Sequence, residues 1–268
     1  MLLGLNQNSC KNLTTPKFIK KAKRFQGIEL NFEKINNEIS DDLSLANLLE
    51  YLEMYNTKLI NLYQLEDFSL CSDREFKTTI IPTLRKLIYY CYNLECDLIT
   101  ITPSFESRDI PKWRIIRKTE NRLKEIIKIA YREDIRIGFE FISQPDSSIK
   151  NLSETKNLLS SFTHQENLGY VLDTYHLGKT NEEFENIIDI IGDIYLIQLS
   201  DLINTLEDTK DSPEIRKRIF PGEGEFNFKK FLNLTKKYRY KDFFSIELNQ
   251  NKCQIDYYKK FLKLNSPP

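Results

Sequence analysis

Short apolar runs alternate along this chain with longer segments whose apolar residues recur at helical spacing. Eight runs rich in β-branched and aromatic residues predict strands, and the segments between them predict helices. This alternation is typical of βα units that build a parallel sheet. The predicted strands are Leu2–Asn6, Gly27–Leu30, Lys58–Tyr63, Leu98–Thr102, Arg136–Phe141, Gly169–Leu172, Tyr195–Leu199 and Phe243–Leu248.

Seven predicted helices separate the eight strands, which is the arrangement that a (β/α)₈ barrel requires. They are Pro16–Phe25, Leu43–Tyr55, Asp73–Leu94, Lys112–Glu133, Ser153–Phe162, Asn181–Ile191 and Asn227–Tyr238. The tail after Asn249 is predicted to be the last helix. At 268 residues the chain has the usual size of one such barrel. We therefore predict an α/β fold, a single-domain TIM barrel over residues 1–268.

The longest irregular stretch runs from Asp201 to Phe226 and contains charged residues and a Pro-Gly turn. Long βα loops in barrels usually lie over the active site, at the carboxyl ends of the strands. We expect a lid or a substrate-binding loop in this stretch.

Composition excludes several classes of protein. The 39 basic and 39 acidic side chains cancel, which gives no support to a nucleic-acid partner. The five cysteines are scattered without C-x-x-C spacing, so neither a disulfide framework nor a zinc cluster is expected, and a reducing cytoplasm fits them. The chain shows no secretory h-region and no apolar run long enough to cross a bilayer, so we expect a cytoplasmic protein without a membrane partner.

Two glutamates lie in strongly apolar surroundings on the fifth and eighth predicted strands. Glu140 belongs to the run Gly138-Phe139-Glu140-Phe141, and Glu247 follows Ser245-Ile246 in the same way. Buried carboxylates are heavily penalised unless a cation or hydrogen bonds compensate. The alternative to a functional role is a salt-bridged structural glutamate.

Polar residues also mark the ends of the sixth and seventh strands. Asp173 ends an apolar run and His176 follows it, although a helix cap and a structural histidine would look the same. Gln198 lies on the seventh strand, and its amide could give a neutral oxygen to a hard cation or bond only to the backbone. We also count Asp201, just beyond this strand, as a candidate substrate-binding residue.

These strand-end residues together offer one amide and three carboxylates. Such oxygen donors favour Mg²⁺, Mn²⁺ or a similar hard ion over a cysteine and histidine zinc site. Further along, Arg216, Lys217 and Arg218 precede the turn 221–225, where a guanidinium could reach an oxyanion, or where a solvated charge run could lie. The other histidine, His164, is assigned to the surface.

Five segments carry a family resemblance: GFEF, VLDTYH, IQLSD, R-x-x-PGEGEF and FFSIEL. Together they resemble the xylose isomerase-like barrels, specifically the sugar phosphate isomerase/epimerase family, over nearly the whole chain. The resemblance implies that His176 contacts the substrate and that Arg218 binds its oxygens. It also implies a proton-transfer pair, Glu140 and Glu247, and a metal site formed by Glu140, Asp173, Gln198 and Glu247.

The residue on the seventh strand distinguishes branches of this family. Relatives that epimerise ketoses usually carry histidine there, whereas hydroxypyruvate-isomerase-like members carry glutamine, as this chain does at Gln198. Endonuclease-IV-like nucleases share the barrel but need a histidine-rich trinuclear zinc site, which two histidines cannot supply.

We therefore expect an isomerase or epimerase that uses one divalent ion (Mn²⁺, Mg²⁺ or Co²⁺). Its substrate would be a small sugar, a sugar phosphate or a hydroxy-keto acid, interconverted through an enediolate by two glutamates. The alternatives are a metal-dependent dehydratase of an inosose or a 3-dehydroshikimate-like ring, and a non-catalytic sugar-binding barrel. The expected partner is a small carbohydrate-like molecule, and a homo-oligomer is compatible with these expectations.

Overall fold

Eight parallel strands form a closed barrel. The computed structural model describes residues 1–105, 109–203, 218–251 and 257–264. Around the ring the strands follow their order in the chain, and the eighth returns to pair with the first, so the predicted (β/α)₈ barrel is confirmed. The barrel strands are β1 (Leu2–Asn6), β2 (Gly27–Asn31), β3 (Lys58–Leu65), β4 (Leu98–Ile101), β5 (Arg136–Phe139), β6 (Leu168–Asp173), β7 (Ile194–Leu199) and β10 (Phe243–Ile246); β8 (Asp201–Leu202) and β9 (Arg218–Ile219) form a separate antiparallel pair.

Helices cover the outside of the barrel between successive strands. They are α1 (Thr15–Ala22), α2 (Phe32–Glu38), α3 (Leu45–Met54), α4 (Asp73–Glu75), α5 (Ile81–Asn93), α6 (Lys112–Tyr131), α7 (Leu152–Leu159), α8 (Thr174–Lys179), α9 (Phe228–Lys237) and α10 (Tyr257–Leu264). A π-helical turn, Phe76–Ile80, joins α4 to α5, and 3₁₀ turns cover Gln7–Cys10, Ser160–Phe162 and Phe184–Asp193. The buried side of α6 contains Ile115, Leu123, Ile126 and Ala130, as its helical spacing predicts.

Three details differ from the sequence-based expectation. The segment predicted as a helix over Asn181–Ile191 forms a 3₁₀ helix, Phe184–Asp193. Two short helices, α2 and α8, were not predicted, because seven and six residues are too few to show helical periodicity. The fifth and eighth strands end two residues earlier than predicted, so Glu140 and Glu247 follow their strands instead of lying within them.

The barrel interior is layered, because side chains two residues apart on a strand point to the same face. The lowest layer is apolar and contains Ile60, Leu98, Val171 and Leu196. Two residues further along the same strands, the inward-facing positions are occupied by Thr100 on β4, Asp173 on β6 and Gln198 on β7. The interior thus changes from apolar to polar toward the carboxyl ends of the strands.

The structure also bears on the expectations about membrane spans and about cysteines. In the described ranges, no helix combines the length and apolar character that a membrane span needs. Among the described residues, Cys71, Cys91 and Cys96 are free thiols.

Gly169 on β6 provides a test of barrel packing. A Cβ at this position would lie 2.3 Å from the carbonyl oxygen of Asp193 and 2.7 Å from the Tyr195 ring. We expect Gly169→Ala to lower the free energy of unfolding by about 2 to 3 kcal/mol, because backbone atoms cannot move aside easily. Urea denaturation measures the change.

Gly192 is the matched control, since it is exposed and a Cβ there would meet nothing within 4 Å. Gly192→Ala should change the free energy of unfolding by less than about 0.5 kcal/mol. Equal effects of the two substitutions would contradict the packing argument.

Candidate active site and metal centre

The polar residues predicted at the strand ends converge at one end of the barrel. Asp173 is the last residue of β6 and pairs in register with Gln198 on β7, so both side chains point into the interior. Glu140 directly follows β5 and Glu247 directly follows β10, where their backbone N–H groups still bond to neighbouring strands. All four side chains are buried, with exposures of 9% or less.

Glu140, Asp173 and His176 form the most compact part of this site. One potential ligand atom of each lies within 4.8 Å of the others. Glu247 is outside this trio, but its charge acts on Glu140. The structure therefore brings the three predicted carboxyl groups into one electrostatically coupled site.

Burial and mutual repulsion make these carboxyl groups hard to ionise together. Burial raises the pKa of Glu140 well above its usual range, and the charges of Glu247 and Asp173 raise it further. Burial also raises the pKa of Glu247 to about 7, although the Arg218 guanidinium opposes that shift. A positive charge placed among these groups would be strongly stabilised.

Arg218, on β9, brings its guanidinium into the site. Nη1 donates to Oδ2 of Asp173 in a very short ion pair and to the Ser200 hydroxyl at 3.0 Å. The guanidinium also stacks over the Tyr175 ring, with 4.7 Å between Cζ and the ring centroid. Burial by itself would lower the pKa of Arg218, but the charges of Asp173 and Glu247 outweigh it and raise that pKa.

Asp173 caps a helix and also pairs with Arg218. Its Oδ1 accepts from the backbone N–H of Tyr175 at 2.8 Å and so caps α8, while Oδ2 binds Arg218. The capping bond fixes the carboxylate at the mouth of the barrel.

The imidazole of His176 is held in one tautomer by the loop after β5. The Ser143 backbone N–H donates to Nδ1 at 3.2 Å, so Nδ1 carries no proton, and burial lowers the pKa of His176 to about 4. The single ring proton therefore lies on Nε2, which is 4.0 Å from Oε1 of Glu140. Distance alone would allow His176 to bind a metal, but this tautomer presents an N–H donor to the site.

Gln198 is oriented by a carboxyl group that the sequence analysis missed. Its Nε2 donates to Oε2 of Glu29, on β2, at 2.8 Å, and within the described part of the chain its buried Oε1 has no hydrogen-bond partner. The segment Gly27-Ile28-Glu29-Leu30 repeats the pattern of an acid among apolar residues that marked Glu140 and Glu247. That pattern was the available signal, but Glu29 occurs in mid-strand and not at its end.

The first loop of the barrel also contributes unpredicted residues. Asn8, in the turn after β1, donates through Nδ2 to Oε1 of Glu247 at 3.0 Å. Lys11 lies close enough for Glu247 to raise its pKa, although burial has the larger effect and lowers it. Neither residue follows a recognisable motif, so only the fold reveals their proximity to Glu247.

Asp201, predicted to bind substrate, instead organises the loop that carries Arg218. It is fully buried, and its two oxygens accept from the backbone N–H groups of Leu202, Gly222, Gly224 and Phe226 at 2.8–3.0 Å. Four donors use the four lone-pair positions of a carboxylate. The predicted substrate contact therefore finds no support in this geometry.

The turn after β9 fits closely around Asp201. Gly222 has a φ of 85°, a conformation that favours glycine, and a Cβ at Gly224 would lie 2.5 Å from Oδ1 of Asp201. Arg216, Lys217 and most of the predicted lid lie outside the described residues. His164 is exposed, as predicted.

Comparisons with known proteins agree with this architecture. A family model described as xylose isomerase-like TIM barrel matches residues 17–264. An inosose isomerase from Bacillus velezensis is 24% identical over 226 residues, which are 83% of this chain and 76% of that protein. The crystal structure of the IolI protein with a binding zinc atom has a TM-score of 0.82 at 22% identity and covers 97% of this chain and 91% of that one. The probable 3-DHS dehydratase AsbF from Bacillus anthracis has a TM-score of 0.83 at 18% identity, with both chains covered completely.

The chain belongs to the xylose isomerase-like TIM barrel family, because the family model matches most of its length. The predicted family is thereby confirmed. The related proteins are named as isomerases, which bears out the predicted class, an enzyme of the sugar isomerase/epimerase type.

The buried position of Asp201 leads to a prediction about the loop. Asp201→Asn replaces one acceptor oxygen by an NH₂ group that faces backbone N–H donors. We expect the free energy of unfolding to fall by about 2 kcal/mol, measured by chemical denaturation.

Glu223→Gln, on the same turn, is the control, because Glu223 is exposed and its contact is a surface ion pair with Lys260. Its substitution should change stability by less than about 1 kcal/mol. A neutral Asp201→Asn would show that Asp201 does not hold this loop.

Proposed function

We propose that this protein is a divalent-metal-dependent isomerase or epimerase of small, polyhydroxylated carbonyl compounds, with inososes as the first class to test. The observation that carries this proposal is the burial of Glu140, Asp173 and Glu247 at one end of the barrel, where Arg218 is, among the described residues, the cation that forms an ion pair with one of these carboxylates. If all three carboxylates are ionised, their charge exceeds that of the Arg218 guanidinium by about two, which one divalent ion would balance.

The donor atoms support an ion that prefers oxygen. Oxygens of Glu140, Asp173, Glu247 and Gln198 are proposed as its ligands, and the unpartnered Oε1 of Gln198 fits this role. The ion would polarise the substrate carbonyl and stabilise the negative charge of the enediolate. This assignment keeps His176 outside the ligand set.

The protein side chains would move the protons. Glu247 and Glu140 would be the proton-transfer pair, because both carboxyl groups are buried at the same end of the barrel and interact with each other. One would take the proton next to the carbonyl and the other would return it.

Two neutral or cationic donors would hold the substrate. His176 presents its Nε2–H toward Glu140, and Arg218 Nη2 lies 3.4 Å from that same nitrogen. Both side chains can donate to a hydroxyl or carbonyl oxygen of a substrate bound at this end of the barrel. Oxygen-rich substrates satisfy this requirement.

The pKa shifts predict an unusual pH dependence of the metal-free protein. The folded state holds protons on Glu247 to about pH 7, whereas an unfolded carboxyl titrates near 4.5. Glu247 therefore binds more protons in the folded state across this interval, and its contribution to stability should decrease as pH rises from about 4.5 through about 7. His176, whose pKa burial lowers to about 4 from 6.5, contributes in the opposite direction below about 6.5.

Mn²⁺ must displace these protons when it binds. For each proton displaced, the affinity for Mn²⁺ should rise about tenfold per pH unit over the same range. Thermal unfolding with and without Mn²⁺ at pH 5.5 and 8 measures both effects, and Mn²⁺ should stabilise more at pH 8. The pH dependence around 7 should be weaker in Glu247→Gln. Absence of Mn²⁺ and Mg²⁺ binding at pH 8 would favour the non-catalytic barrel.

Solvent-deuterium exchange tests the reaction. With Mn²⁺ present, the wild-type chain should incorporate deuterium next to the carbonyl of an inosose, a ketose, a ketose phosphate or hydroxypyruvate. Glu247→Gln should lower this rate by at least about 100-fold, since a proton-transfer group commonly contributes that much.

Glu133→Gln, at an exposed position beyond α6, should leave the exchange rate unchanged. The panel should include 3-dehydroshikimate, because a dehydratase would give a product lighter by one water. Full exchange activity in Glu247→Gln would refute the role proposed for Glu247.

A further inference from the structure

Glu29 lies at the centre of a second cluster of polar side chains, which is deeper in the barrel interior than the proposed metal centre. It is fully buried, and the register makes it a neighbour of Asn6 on β1 and Asn61 on β3. Gln198 reaches it from β7, a strand separated from β2 by β1 and β10. The Gln198–Glu29 hydrogen bond therefore spans the barrel interior.

The hydrogen bond to Glu29 determines which way the Gln198 amide points. A primary amide has a donor end and an acceptor end, so an Nε2 group bound to Glu29 leaves Oε1 for another partner. Among the described residues Oε1 has none, although it is buried. The in-register pairing of Gln198 with Asp173 places Gln198 beside the cluster of Glu140, Asp173 and His176.

Glu29 is itself held in place by a chain of side-chain hydrogen bonds. Asn61 donates through Nδ2 to the same oxygen, Oε2, at 2.8 Å. The Oδ1 of Asn61 accepts from the Thr100 hydroxyl at 3.0 Å, which orients the Asn61 amide. Two N–H donors thus converge on Oε2, and an oxygen in this position acts only as an acceptor.

We propose that Glu29 is a positioning residue: by accepting the Nε2–H of Gln198, it turns the amide so that Oε1 becomes a ligand of the divalent ion. This inference rests on the proposed metal-dependent function and adds a residue beyond the ligands themselves. Hydrogen-bonded partners that orient metal ligands commonly change metal affinity by 10- to 100-fold when they are replaced.

Glu29→Met tests the inference, because it keeps the length of the side chain but removes the oxygen that accepts the Nε2–H of Gln198, so that nothing at position 29 holds the Gln198 amide in one orientation. We expect Mn²⁺ affinity, measured by calorimetry, to fall about 10- to 100-fold. The visible absorption of the Co²⁺-loaded protein should change at the same time, because it reports the ligands. Gln198→Ala should have a similar effect, and the double variant should lose little more than either single variant.

Thr119→Val is the matched control, since Thr119 is equally buried and its hydroxyl donates to the backbone of α6, outside the hydrogen-bond chain of Glu29. It should lower thermal stability while leaving Mn²⁺ affinity and the Co²⁺ spectrum unchanged. A purely structural role of Glu29 would instead make Glu29→Met behave like Thr119→Val.

Glu29→Asp provides a second route if Glu29→Met fails to fold, because it keeps the acid but withdraws it from Gln198 by one methylene. It should also weaken Mn²⁺ binding. Wild-type affinity and an unchanged Co²⁺ spectrum in a folded Glu29 variant would overturn this inference alone. Absence of metal binding in the wild-type chain would overturn the proposed function and this inference together.

Discussion

The burial of several like charges inside one barrel is the constraint on which the rest of the site depends. Glu140, Asp173 and Glu247 are removed from water, and the pKa values of the two glutamates are raised as a result. Such an arrangement destabilises the fold unless positive charge or protons offset it. Arg218 offsets part of the charge, and the remainder gives the site its capacity for protons and for a cation.

The position of Arg218 depends on a loop that is itself ordered by a buried carboxylate. Asp201 accepts hydrogen bonds from four backbone N–H groups, one on β8 and three in the turn after β9. It therefore determines the course of the chain after Arg218. Acidic residues thus serve two purposes at this end of the barrel. Some have incompletely satisfied oxygens that suit a ligand, whereas Asp201 uses all of its oxygens within the fold.

This distinction explains how far the sequence could predict the site. Strand-end position and apolar neighbours identified Glu140, Asp173 and Glu247, because a parallel barrel brings its carboxyl ends together. The same signals selected Asp201, three of whose four backbone partners lie 21 to 25 residues further along the chain and have no sequence motif. Glu29 was missed because its role depends on a bond across the barrel interior to a residue 169 positions away.

The fold was more predictable than the site for a related reason. Periodicity reports which face of an element is buried, and this is sufficient to count strands and long helices. It does not report helices of six or seven residues such as α8, which begins at a cap supplied by Asp173. It also does not report side-chain orientation, such as the tautomer of His176 that the Ser143 backbone imposes.

The orientations of His176 and Gln198 together define the chemical character of the centre. If the imidazole presents an N–H and the amide presents an oxygen, every proposed ligand atom is oxygen. Oxygen-only sites suit Mg²⁺ and Mn²⁺, whereas nitrogen and sulfur ligands favour Zn²⁺. The glutamine on β7, with Glu29 behind it, would therefore favour Mg²⁺ or Mn²⁺ over Zn²⁺ at the proposed centre.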